Sequence, residues 1–287
     1  MQYIAPTTCA EAVAALAACD GDARLLAGGT DLLVRLQADM IEPDLLVDTK
    51  HIASCQSISE DANGFTIGAA VPSAELGEHP SLSKAWPGVV EGMGLVGSTQ
   101  VQGRATLTGN LCNASPAADS VPGLVASGAV ANVVGPNGTR QVDIIDIPTG
   151  PGRTSLAKDE MIESFSFPAR PARSADAYLR FIPRTEMDIA VVGAAVNLSL
   201  DENGTCTAAR VAIGAVGPKV MLVPAAAEAL IGSQVDDAAL QAVQAACSDA
   251  ATPISDKRGT AEFRKHTVGV IARRAAAIAH QRAQAAE

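Results

Sequence analysis

Apolar and polar positions follow three different rhythms along the chain. The first fifty residues place short apolar runs on either side of helical patterns. Tyr3 to Ala5 reads as an extended piece. Thr7 or Thr8 then caps a helix, with Glu11 at the spacing of a capping box. An Ala/Val/Leu helix follows and stops near Gly21. Arg24 to Leu26 is predicted as a short strand that runs into Ala27-Gly28-Gly29-Thr30-Asp31. A helical stretch, Leu32 to Gln37, and a buried strand, Leu45 to Val47, complete a small α/β unit of about 50 residues.

The pattern turns over again from Gly64. Phe65 to Gly68 reads as a strand, Ser73 caps a short helix, and Pro80 to Val96 reads as one longer helix ending at Gly97. Gln102 to Ser120 is dense in Gly, Asn, Ser and Pro and reads as a loop, far longer than the roughly 4–6 residues usual in compact domains. Loops of that length commonly carry function. Strands are expected at Val130 to Val134 and Arg140 to Asp143, around a turn at Pro136-Asn137-Gly138. A Pro/Arg/Ala-rich stretch from Pro168 to Ala175 marks the boundary between a first domain, 1–172 with lobes of about 1–55 and 56–172, and a second, 173–287. The second opens on Ile189 to Leu200, turns at Asp201-Glu202-Asn203-Gly204 and returns along Thr205 to Val216. Helices follow at Ala225 to Ile231, Asp236 to Cys247 and Thr260 to Ala285. Strands first and helices second predict an α+β domain.

Composition narrows the chemistry. Hydrophobic residues make up 48% and aromatic ones only 3%, so the core must be built from Ala, Val, Leu and Ile. The net charge of −10 argues against nucleic acid, because nothing offsets phosphate repulsion over a wide surface. Any phosphate must be held locally, mainly by backbone N–H groups. The six cysteines form no C-x-x-C pair and no iron–sulfur or zinc spacing, which predicts reduced thiols and a cytoplasmic protein. No signal peptide and no membrane span are expected. Neither a Ser/His/Asp arrangement nor a metal-ligand set appears, so no catalytic and no metal residue is assigned.

Two segments carry chemistry. In Leu26-Ala27-Gly28-Gly29-Thr30-Asp31 a strand delivers the chain into two glycines, whose consecutive N–H groups can form a concave donor site for an anion. Its plain alternative is a tight connection. In Arg104 to Ser120, hydroxyls, amides and Asp119 crowd a glycine-bearing segment suited to a polar ligand. Its plain alternative is a turn whose Asn and Ser side chains satisfy themselves.

Together these segments resemble the FAD-binding medium subunit of the molybdenum hydroxylases, the family of xanthine dehydrogenase and aerobic carbon monoxide dehydrogenase. That family carries A-G-G-T-D in its first lobe, then T-I-G-G-N and A-S-P-x-x-D in its second. Here these read Ala27 to Asp31, Thr106 to Asn110 and Ala114 to Asp119. Tyr178 to Ala190 resembles the family's R-x-x-x-D-I-A segment, and Pro253 to Arg264 its closing helical region. The resemblance implies a two-lobed α/β FAD-binding domain of the vanillyl-alcohol-oxidase type, followed by a small α+β domain with antiparallel strands and helices. It also implies one non-covalent FAD; none of the four histidines lies in the glycine turns. Ala27 to Thr30, with Leu26 and Asp31 flanking, would cradle the diphosphate. Thr106, Thr108, Gly109 and Asn110 would hold its other side, and Asn113 and Asp119 the ribose. Arg180 and the loop from Arg184 to Ile189 would lie near the isoalloxazine.

One position departs from the family. Thr108 stands where its first glycine of the second pair is expected. A positive φ there would strain threonine, whereas a negative φ would let its hydroxyl add a phosphate contact; the latter is the expectation. By the same resemblance, molybdopterin and [2Fe-2S] clusters belong to a large and a small partner subunit, assembled by analogy into an (αβγ)₂ hexamer. Two other functions stay open: a stand-alone FAD oxidoreductase, and a cofactor-free assembly or binding subunit.

Overall fold

The computed structural model describes residues 1–286. Strands Gln2–Ile4, Leu45–Asp48 and Ala23–Leu26 form a parallel sheet in that spatial order, with Tyr3 beside Leu46 and Leu25 beside Val47. Helix Cys9–Ala18 closes this sheet through Ala12, Val13 and Leu16. Its start is fixed by the expected capping box. Thr8 Oγ1 accepts from the Glu11 N–H at 3.2 Å, and the Glu11 carboxylate accepts from the Thr8 N–H at 3.3 Å.

The second lobe is a five-stranded antiparallel sheet, ordered Ile58–Asp61, Gly64–Gly68, Met161–Pro168, Val130–Gly135, Gly138–Asp143. Its central strand, Met161–Pro168, comes last in sequence. Three of the predicted elements here are built differently. Pro80 to Val96 is two helices, Pro80–Ala85 and Pro87–Gly94, because Pro87 cannot donate the hydrogen bond that a continuous helix needs. Ser73 is the first helical residue and Pro72 the cap; the Ser73 N–H instead donates to the Ala105 carbonyl at 2.8 Å. The segment 102–120 is no open loop, for it contains the helix Leu107–Cys112, capped by Thr106. Helix Ser120–Ser127 follows it, buried throughout. One continuous core, from Leu16 and Val47 to Ile67 and Phe165, joins the two lobes.

The C-terminal region carries an antiparallel sheet, Ser174–Phe181, Val192–Leu200, Cys206–Gly214 and Met221–Leu222, covered by helices Pro224–Leu230, Asp237–Ala250 and Ala261–Ala285. Asp236 and Thr260 cap the last two helices. Where the chain enters this region, Arg170 lies 3.8 Å over the Trp86 ring and pairs with buried Asp176 at 2.8 Å. That pair ties the entering strand to the break between the two proline-started helices.

Candidate functional site

A cleft of about 370 Å³ opens between the two lobes. Its first wall begins where strand Ala23–Leu26 ends. Gly29 has φ +79°, a conformation that a side chain resists, and it turns the chain into helix Leu32–Gln37. The N–H groups of Gly28, Gly29, Thr30 and Asp31 donate to no acceptor among the described residues. Four successive free donors in a turn form a concavity suited to an anion.

The second wall is the start of helix Leu107–Cys112. Thr106 Oγ1 accepts from the Gly109 N–H at 3.0 Å and so fixes the first turn. Thr108 lies inside this helix and outside the set of positive-φ residues, as the favoured alternative required. Its Oγ1 is buried and has no hydrogen-bond partner among the described residues, although Thr108 lines the cleft. A hydroxyl of this kind beside a cleft is a hydrogen-bonding group available to a ligand.

The two walls meet through Gly28. A Cβ added there would sit 2.0 Å from the Arg104 carbonyl oxygen and 3.2 Å from the Ala105 Cα. Only glycine lets the first turn lie directly on the backbone that leads into Thr106. The bridge between Pro72 and Thr106 and the bond from Ser73 to Ala105 hold that backbone from its other side.

Ala27, Gly28, Gly29, Thr30, Asp31, Thr106, Thr108, Gly109, Asn110 and Asn113 all line this cleft. Leu26 lies in the core beneath the turn. Asp119, Arg180 and Ile189 lie outside the cleft lining. Asp119 is buried, and its carboxylate accepts from Tyr178 Oη at 3.0 Å and from Arg180 Nη1 at 2.7 Å. Its neighbour Ser120 donates through both N–H and Oγ to Asn110 Oδ1, at 3.1 and 2.7 Å. Hydrogen bonds joined by the Asp119–Ser120 peptide thus link the C-terminal sheet to the cleft wall. Burial pushes the Asp119 carboxyl up to about 6, against the pull of Arg180 and Tyr178. Ile189 is exposed on a surface loop where Asp188 accepts from its N–H at 2.8 Å and pairs with Arg184 at 3.3 Å. The same loop touches the cleft's neighbourhood through Met187, whose N–H donates to the Gly97 carbonyl at 3.4 Å.

Sequence reasoning missed Thr49, Arg35 and Lys158 in the cleft walls. Arg35 follows the glycine turn on its helix, and a basic residue one turn beyond a phosphate-binding motif was the available signal. Thr49 and Lys158 belong to no motif.

The family model for the FAD binding domain in molybdopterin dehydrogenase matches residues 1–170, and that for the CO dehydrogenase flavoprotein C-terminal domain matches residues 177–279. The chain belongs to this molybdopterin dehydrogenase FAD-binding family. A xanthine dehydrogenase FAD-binding subunit of Escherichia coli O157:H7 is 30% identical over 268 residues, covering 93% of this chain and 91% of that one. The carbon monoxide dehydrogenase medium chain of Afipia carboxidovorans is 30% identical over 282 residues, covering 98% and 97%. A solved carbon monoxide dehydrogenase chain from Hydrogenophaga pseudoflava superposes with a TM-score of 0.93 at 30% identity, over 98% of each chain.

The family's cofactor fits the residues present. FAD carries a diphosphate, and the cleft offers free N–H groups from Gly28 to Asp31 on one wall and an unpartnered hydroxyl at Thr108 on the other. Among the described residues, no helix is long and apolar enough to cross a membrane.

Proposed function

We propose that this chain is the FAD-carrying electron-transfer subunit of a multi-subunit molybdenum hydroxylase, and that the cleft between its lobes holds the cofactor. The observation that carries this reading is the meeting of two anion-donor walls at Gly28, with donors free on both sides. Ala27 to Asp31 hold one face of the diphosphate through backbone N–H groups, with Leu26 fixing the base of the turn. Thr106, Thr108, Gly109 and Asn110 hold the other face, and Asn113 reaches the ribose. Asp119 and Arg180 order the segment that carries Asn110, while the loop ending at Ile189 screens the flavin. Residues 1–172 form the cofactor domain of this arrangement and residues 173–287 the domain that braces it.

When bound, FAD supplies a carrier that accepts and releases electrons. The protein's part is to bind it, orient it and exclude water from its diphosphate. A large molybdenum-binding partner and a small [2Fe-2S] partner supply the remaining centres, and an external acceptor takes the electrons. The relatives' names span xanthine and carbon monoxide, so substrate choice rests with the large partner. The cysteine usage argued above supports a cytoplasmic assembly.

Purified full chain is expected to be yellow, to bind one FAD per chain and to co-purify with a large and a small subunit. A colourless chain that binds no added FAD contradicts the reading, and a yellow chain that oxidises a substrate alone replaces it with a stand-alone flavoenzyme. Within the cleft, Thr108→Gly removes one hydroxyl and is expected to weaken FAD only about threefold. Gly109→Val places methyl groups against Thr106 Oγ1, 3.2 Å from the added Cβ, and is expected to weaken it at least tenfold. A fluorescence titration showing the reverse ranking refutes this placement of the second wall.

A further inference from the structure

The first glycine turn is held by residues that no motif contains, Thr49 in the cleft wall and Lys50 outside it. The Leu26 carbonyl accepts from Thr49 Oγ1 at 3.3 Å, and the Ala27 carbonyl accepts from Lys50 Nζ at 3.2 Å. Lys50 Nζ also pairs with Asp48 Oδ1 at 2.7 Å, and Tyr3 Oη donates to Asp48 Oδ2 at 2.7 Å. The anchor is firm because Asp48 is only 4% exposed. Burial pushes its carboxyl upward, but hydrogen bonds from Lys50 and Tyr3 outweigh burial and hold it below the usual carboxylate range. Asp48 is therefore a carboxylate at neutral pH.

Two consecutive carbonyls each caught by a hydrogen bond have a geometric consequence. A trans peptide carries its C=O and N–H on opposite edges. With the Leu26 carbonyl held by Thr49 and the Ala27 carbonyl by Lys50, the planes of the two peptides that carry the Ala27 and Gly28 N–H groups are fixed. Successive N–H groups held in fixed planes are what an anion-binding concavity needs. Lys50 itself does not line the cleft, so it acts through the carbonyl it holds.

We propose that Thr49 and Lys50, anchored by Asp48 and Tyr3, are positioning residues that preset the first turn for a diphosphate. This rests on the cleft being the FAD site. A preset turn spends none of the binding energy on ordering its own peptides.

The test uses flavin-free full chain titrated with three probes: FAD, ADP, which has the diphosphate and no flavin, and riboflavin, which has the flavin ring and no phosphate. Thr49→Val removes the hydroxyl with little change of shape. The double variant Asp48→Asn/Lys50→Met removes both charges together, so no buried carboxylate is left unpaired. Thr49→Val is expected to weaken FAD and ADP about threefold and the double variant about tenfold, with riboflavin unchanged in both. Lys50→Arg, which keeps a cationic donor beside Asp48, is expected to retain FAD and ADP affinity within about threefold. Equal losses for ADP and riboflavin, or no loss for either, overturn the proposal. Gly28→Val separates the two levels of the argument. If it kills FAD binding while the brace variants bind ADP normally, the brace fails alone; if it leaves FAD binding intact, the site assignment fails first.

Discussion

A Gly28→Val variant is expected to emerge from purification without flavin, its affinity for FAD reduced about a hundredfold or more. The added Cβ would lie 2.0 Å from the Arg104 carbonyl oxygen and 2.8 Å from the carbonyl carbon. Those atoms are main chain, held on their far side by the hydrogen bond from Ser73 to Ala105 and by the Pro72–Thr106 bridge. Relief therefore requires the two lobes to separate, not a side chain to rotate. Overpacking of this sort costs about 1–3 kcal/mol even where side chains can adjust, and each 1.4 kcal/mol is a factor of ten in affinity. Separation would also carry the Gly28 to Asp31 donors away from Thr108, so binding suffers beyond the strain itself. Gly28→Ala, with the same Cβ and no branches, should fall between the two. The ratio of flavin to protein absorbance reads the outcome, and a wild-type ratio in Gly28→Val contradicts the packing argument.

Arg180→Met is the second large effect, and it falls on stability. The Arg180 and Asp119 side chains are 4% and 10% exposed, so the substitution leaves a buried carboxylate supported by Tyr178 alone. Breaking a buried pair in this way costs about 3–5 kcal/mol, on the order of 10 °C in thermal midpoint for a chain this size. The sign of its pH dependence follows from Asp119. Burial raises its folded-state carboxyl from 3.8 to about 6, against Arg180 and Tyr178. A folded pKa above the unfolded one means that the folded state holds the proton more tightly. Stability from this group is then greatest below 3.8 and falls as pH rises through the window from 3.8 to about 6. Removing the guanidinium removes the first opposing influence and extends that window upward. The difference between Arg180→Met and wild type should accordingly be smaller at pH 5 than at pH 8. A denaturation series in which the difference shrinks with rising pH contradicts the burial account of Asp119.

The parts of the fold that were legible from sequence are those in which one local rule acts alone. Helix Leu32–Gln37 follows its glycine turn as expected, Glu11 completes the Thr8 box, and Asp236 and Thr260 start their helices where a cap should. Elements that depend on distant partners were hidden. Strand Met161–Pro168 sits at the centre of its sheet, yet Glu163, Ser164 and Ser166 interrupt its apolar run and a register shift falls between Ile162 and Ser164. Asn132 from the neighbouring strand satisfies Ser164 and Ser166 at 2.9 and 2.8 Å, which nothing local foretells. Strand Ser174–Phe181 was masked in the same way by Asp176, a carboxylate tolerated there because Arg170 reaches it.

The site divides along the same line. Ten of the fourteen residues singled out by motif line one cleft, because glycine turns and capped helix starts are written in adjacent positions. Asp119 and Arg180 lie outside the cleft lining, and each finds the other across 61 positions of sequence. Thr49 and Lys50 could not be found at all, since their task is to hold carbonyls 23 residues away.

The central claim is that the diphosphate of FAD lies between the two walls. A crystal structure of the full chain soaked with FAD tests it most directly. The account predicts phosphate oxygens within hydrogen-bonding distance of the N–H groups from Gly28 to Asp31 and of Thr108 Oγ1. A diphosphate seated anywhere else on the chain, with those donors still free, contradicts it.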